Sequence, residues 1–142
     1  MRIDGGCHCG FITYQGEADP EKVAVCHCTD CQRLSGSAFR TVVPVDSQTF
    51  RMSGQPTIYV KTAESGNKRE QSFCPRCGSP IYSAPPGAGP RMLFIRVGTI
   101  NQRDQFIPKT QVWARSRQRW MDELAGVRKV EKQELSGLPT QR

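Results

Sequence analysis

Cys74-Pro75-Arg76-Cys77-Gly78 puts two thiols on one tight turn, followed by a glycine that tolerates positive φ and lets backbone N–H groups approach the sulfurs. This is a zinc-knuckle pattern, and it supplies half of a tetrahedral site. The other half stands at Cys7-His8-Cys9. On an extended segment residues i and i+2 face the same side, so Cys7 and Cys9 present their sulfurs together. Joining the two pairs ties the N-terminus to the segment after Phe73, which is how a closed four-thiolate ion contributes folding free energy.

Of seven cysteines, three remain, all in Cys26-His27-Cys28-Thr29-Asp30-Cys31. They can meet one ion without help from distant chain. Three ligands leave the fourth tetrahedral position open to water or substrate, the arrangement of catalytic rather than structural zinc. A competing reading closes this second site with His8, His27 or an aspartate, making both ions structural. A histidine between two ligating cysteines on an extended segment points the other way, so His8 and His27 are poor ligands for their own clusters and are assigned packing or hydrogen bonding. A redox dithiol at Cys74 and Cys77 lacks the βαβ context that such a reading needs.

The 142 residues fit one domain. The start, MRIDGGCHCG, has no apolar core of a signal peptide, and no run approaches the roughly 18 apolar residues of a membrane span, so a cytoplasmic protein without a membrane partner is expected. In a reducing cytosol an odd number of clustered cysteines points to metal rather than disulfides. The formal charge of +7 suggests an acidic partner. Seven thiolates and two divalent ions reduce it to about +4, and the basic residues are dispersed, so nucleic acid is not the expected partner.

Short β-type runs at 11–14, 39–45, 57–61 and 92–97 lie between Gly, Pro, Ser and Asp, predicting a mainly β fold with few short helices. One helix is expected over 29–34 with a stop at Gly36, another from near Ser116 through Trp120 to Leu124 with a stop at Gly126. Loops are expected at 63–68 and 84–90. The expected organisation is a zinc-binding domain over 1–126 and a loose polar tail over 127–142.

The ordered series Gly6-Cys7-His8-Cys9-Gly10, Cys26-His27-Cys28-Thr29-Asp30-Cys31-Gln32-Arg33, Ser35-Gly36-Ser37-Ala38-Phe39, Phe73-Cys74-Pro75-Arg76-Cys77-Gly78-Ser79-Pro80 and Gly98-Thr99 resembles the family of glutathione-dependent formaldehyde-activating enzymes, which also includes centromere protein V. Trp113, Ser116-Arg117 and Trp120 extend the resemblance. It implies several short coiled antiparallel sheets, a structural zinc on Cys7, Cys9, Cys74 and Cys77, and a second zinc, open to loss, on Cys26, Cys28 and Cys31. It also implies glutathione as the thiol partner and a carbon-sulfur lyase reaction on its adduct with formaldehyde. The chain departs from the family pattern at Gln71, where arginine is common, at Gln111, where histidine often precedes the tryptophan, and at Asn101 and Gln102, where acidic residues are frequent.

Three thiolates make zinc a weak Lewis acid, better suited to holding a substrate thiolate than to making hydroxide. In this scheme Asp30 is the nearest acid for proton transfer, against a plainer role as a turn former. Arg33 and Arg40 are candidates for pairing with substrate carboxylates, and Ser35 and Ser37 for hydroxyl contacts or for the turn at Gly36. Trp113 and Trp120 are assigned to core or to a subunit contact, with a homo-oligomer left open. Two other functions stay open: a zinc-stabilised binding module for protein or nucleic acid, and removal of another small electrophile by the same chemistry.

Overall fold

The computed structural model describes residues 1–133, so the part of the expected tail at 134–142 lies outside the described residues. Two sheets account for the strands. Strands β1 (Arg2–Gly6), β2 (Thr13–Glu17) and β5 (Arg51–Ser53) form the smaller, in the order β1-β2-β5. The larger contains β3 (Ala24–Cys26), β4 (Arg40–Asp46), β6 (Thr57–Thr62), β7 (Lys68–Phe73), β8 (Pro80–Ala84), β9 (Met92–Arg96) and β10 (Thr110–Val112), in the order β10-β3-β4-β9-β8-β7-β6. The mainly β expectation is met. Pairing is antiparallel except between β10 and β3, which run parallel because a long excursion, rather than a hairpin, separates them.

Strand alternation gives the larger sheet two unlike faces. Val43 and Val45 of β4 lie opposite Ile95 and Leu93 of β9, and with Ile3, Tyr14, Tyr82 and Ala84 they form the buried core. Residues one step out of phase carry the opposite face: Arg40 and Val42 on β4, Phe94 and Arg96 on β9, Ser83 on β8 and Gln71 on β7. One face is dry; the other is polar.

Helix α1 (Thr29–Ser35) starts where expected, and Gly36 ends it at φ 64, a conformation that costs a side chain more than it costs glycine. The second expected helix is instead made of 3-10 turns at Ala114–Ser116 and Arg119–Gly126, without a buried residue. Trp120 and Leu124 stay about half exposed, so little packing favours a longer α-helix there. The expected loops at 63–68 and 84–90 include turns and bends with mostly exposed residues. Among the described residues no helix is long and apolar enough to cross a membrane.

Candidate metal centres

Cys7 follows β1 and Cys9 lies in the turn leading to β2, so this pair sits on a turn, not on the extended segment its spacing suggests. The turn is closed by Cys7 N donating to Ile12 O at 3.0 Å and Gly10 N to Cys7 O at 3.3 Å. It faces a second turn after β7, where Gly78 N donates to Cys74 O at 2.9 Å and Gly78 takes φ 78. All four sulfurs lie within 4.8 Å of one another. Cys7 Sγ to Cys9 Sγ is 3.6 Å and Cys9 Sγ to Cys74 Sγ 3.8 Å. A zinc tetrahedron with bonds of about 2.3 Å has edges of about 3.8 Å, so the donor set fits.

Backbone N–H groups donate to two of these sulfurs. Ile12 N donates to Cys7 Sγ at 3.2 Å and Arg76 N to Cys74 Sγ at 3.4 Å. The Ser79 hydroxyl lies 3.2 Å from Cys77 Sγ, and its hydroxyl and backbone bonds hold that thiol down to about 5. Arg76 covers the cluster's edge by stacking 3.9 Å above the Phe11 ring centroid.

The second cluster is built at the end of β3. Cys26 closes the strand, Cys28 caps α1 with its sulfur accepting from Cys31 N at 3.2 Å, and Cys31 sits in the first helical turn. Their three sulfurs also lie within 4.8 Å of one another, and among the described residues no fourth His, Cys, Asp or Glu joins them. The thiols do not ionise alike. A hydrogen bond from Cys31 is the main influence holding Cys26 down to about 5, and the same bond, with burial, pushes Cys31 well up. Both clusters can hold a metal ion, and all seven cysteines are unpaired by disulfides.

His27 points away from the cluster, as expected for the residue between Cys26 and Cys28. It is fully buried, with Nε2 2.7 Å from Gln111 Oε1 and its ring 5.7 Å from Phe39. His8 is exposed and contributes its backbone N–H to Ser79 Oγ at 3.0 Å.

A cavity of about 330 Å³ opens beside the three thiols, between Leu34, Val42, Phe94 and Trp113, with Lys61, Arg69, Gln71 and Arg96 in its walls. Asp30 lies at an adjoining cavity that shares Cys28, Lys61 and Trp113, and its Oδ2 is 2.8 Å from Lys61 Nζ. Arg40 is buried next door, its Nη1 3.1 Å from Gln71 Oε1. Arg33 is exposed and lines a separate groove with Gln32, Ser37, Gln118 and Trp120. Ser35 is engaged at the helix end, donating to Gln32 O at 3.4 Å and accepting from Ser37 N at 3.2 Å. Neither shares the thiol cavity.

Sequence reasoning missed Lys61, Arg69 and Arg96. The signal for them is alternation: Arg69 and Gln71 share a face of β7, and Arg96 shares one with Phe94 on β9. Trp113 is 45% exposed and part of the cavity wall rather than of the core, one of its two expected places, and is held at φ 53 in the left-handed region.

No curated protein matches the chain. Among solved structures, a Rhodobacter sphaeroides protein determined as a structural-genomics target is similar in fold, with a TM-score of 0.57 and 18% identity over 77% of this chain and 99% of its own. The family model described as glutathione-dependent formaldehyde-activating enzyme matches residues 2–116, a span that contains both cysteine clusters. The chain therefore belongs to the glutathione-dependent formaldehyde-activating enzyme family.

Proposed function

We propose that the protein is a zinc-dependent, carbon-sulfur lyase-type enzyme acting on the adduct of glutathione, or a similar thiol, with formaldehyde or another small electrophile. Family membership supports the glutathione- and formaldehyde-related part of this reading. The observation that carries it further is a three-thiol cluster with no fourth protein ligand among the described residues, opening on a cavity.

In this reading Cys7, Cys9, Cys74 and Cys77 would hold a structural zinc, and Cys26, Cys28 and Cys31 a second. When bound, the second ion supplies a place for a substrate sulfur to lose its proton and stay nucleophilic. The chain's own residues do the rest. Leu34, Val42, Phe94 and Trp113 give the cavity an apolar wall beside the thiols. In condensation a sulfur–carbon bond forms, the carbonyl π pair moves to oxygen, and the proton given up by the thiol ends on that oxygen. In reverse the carbon–sulfur bond breaks and the hydroxyl proton leaves. We assign the proton path to Lys61 and Asp30, because Lys61 lines the cavity while its partner Asp30, 2.8 Å away, is half-exposed. Arg33 is assigned to a distal carboxylate of a long thiol such as glutathione, and Ser35 to shaping the turn at Gly36.

The test is spectroscopic. Glutathione added to cobalt-substituted protein should change the thiolate-to-cobalt absorption, and Cys28→Ser should abolish that change. An unaltered spectrum in the parent protein would remove the substrate thiol from the cluster.

A further inference from the structure

Arg40 and Arg96 are only 7% and 9% exposed, and they share one acceptor, Gln71 Oε1, at 3.1 and 2.9 Å. The Nε atoms of both are buried with no hydrogen-bond partner among the described residues. A third guanidinium, Arg69, stands two residues before Gln71, with its Nη2 3.4 Å from Ser83 Oγ and its carbon 5.1 Å from the Phe94 ring centroid. No ion pair among the described residues joins a carboxylate to any of the three; Asp30 pairs with Lys61, and Glu70, next to Arg69 in sequence, pairs with Arg91. A neutral amide oxygen cannot balance two buried guanidinium charges, and burying a charge without a partner is costly. Burial, then the like charge of Arg40, pull Arg96 down to about 9.

The thiol cluster does not make up the deficit. Three thiolates with a divalent ion carry a net charge of about −1, and a bound substrate thiolate brings that to about −2, against three guanidinium charges. Arg69 and Arg96 share the cavity wall with the thiols and Arg40 lies behind it, joined to Arg96 through Gln71, so the leftover positive charge sits at or just behind that wall.

We propose that the cavity bounded by Arg69, Arg96 and Gln71, with Arg40 behind, is a carboxylate subsite, so that the substrate reacting at Cys26, Cys28 and Cys31 carries an anionic group close to its reacting atom. This rests on the reading that the cluster receives a thiol. Guanidinium binds carboxylate at two points, and beside the buried Arg96 such bonds discriminate against neutral analogues. The carboxylate belongs either to the thiol or to the electrophile; a 2-oxo acid meets the second case. Its C2 carbonyl carbon takes the sulfur, the carbonyl π pair moves to oxygen, that oxygen takes the thiol's proton, and no oxidant is required. Formaldehyde, lacking a charge, leaves the subsite unused.

The experiment is calorimetry on zinc-loaded protein. 3-Mercaptopropionate should bind at least about tenfold more tightly than 2-mercaptoethanol, a difference that charge-assisted, two-point bonding supplies. Arg69→Gln should shrink the difference to about twofold or less. Gln71→Glu, which builds a carboxylate into the cavity beside Arg40 and Arg96, should shrink the difference likewise, and it keeps the test decisive if Arg69→Gln fails to fold. Equal affinities for the two thiols in the parent protein would overturn the subsite and leave the thiol reading standing. Propionate competing as well as 3-mercaptopropionate would uphold the subsite and sink the thiol reading. Glyoxylate raising the affinity for 2-mercaptoethanol while weakening that for 3-mercaptopropionate would place the carboxylate on the electrophile; no gain for 2-mercaptoethanol would place it on the thiol.

Discussion

The Nε2 atom of His27 lies 2.7 Å from Oε1 of Gln111, joining the segment that carries Cys26 and Cys28 to strand β10. With its N–H on Nε2 the imidazole donates to the amide oxygen, and His27 N donates to Val112 O at 3.1 Å, so ring and backbone both pin the same loop. Gln111 is thus the outer support of the three-thiol cluster, in the way that second-layer partners orient metal ligands.

Gln111→Ala should leave a fully buried imidazole without that partner. The expected loss is about 1–3 kcal/mol of stability, read as a lower urea midpoint with an unchanged slope. Metal at the three-thiol cluster should be held about tenfold or more weakly, while the four-thiol cluster is unaffected. An affinity at the three-thiol cluster unchanged from the parent protein would make Gln111 a packing residue only.

The two clusters should differ in what they do for the fold. Cys74→Ala removes a ligand that joins two turns far apart in sequence, and cooperative thermal unfolding should be lost or its midpoint lowered by more than about 10 °C. Cys28→Ser, within one short stretch, should shift it by only a few degrees. Similar shifts in a side-by-side calorimetric scan would contradict this division.

Metal uptake at the three thiols should depend on pH in a direct way. Cys26, held down to about 5, is already a thiolate at neutral pH, whereas Cys31, pushed well up, still holds its proton. Loading must displace that proton, so apparent affinity should rise with pH, by about tenfold per unit for each proton released. Chelator competition between pH 6.5 and 8 measures the slope, and a flat profile would mean that no proton is displaced.

Legibility in the sequence followed side-chain chemistry. The strands β4, β6 and β9 could be read because they are short runs of β-branched, aromatic and other apolar residues bounded by turn formers, and α1 because Gly36 marks its end. Strand β7, Lys-Arg-Glu-Gln-Ser-Phe, is invisible as a strand because one of its faces serves the polar cavity through Arg69 and Gln71. Strands β3 and β10 are three residues each and exist by pairing with each other and with β4, which no local pattern reports. Cysteine spacing gave both sulfur sets, since sulfur chemistry is local. The cationic groups around Gln71 come from three strands that only the sheet order brings together.

The departure at Gln71 acquires a physical meaning from its neighbours. Its oxygen is shared by Arg40 and Arg96, so Gln71→Ala should orphan two buried guanidinium groups and cost about 3 kcal/mol or more, measured by denaturant unfolding. A cost under about 1 kcal/mol would show that the arginines are satisfied without it.

The most direct measurement is zinc per chain, by elemental analysis of protein purified without chelator, before and after Cys28→Ser. The account predicts about two ions falling to about one, with the fold retained. One ion per chain, unchanged by Cys28→Ser, would leave only the four-thiol site and contradict an open metal centre at Cys26, Cys28 and Cys31.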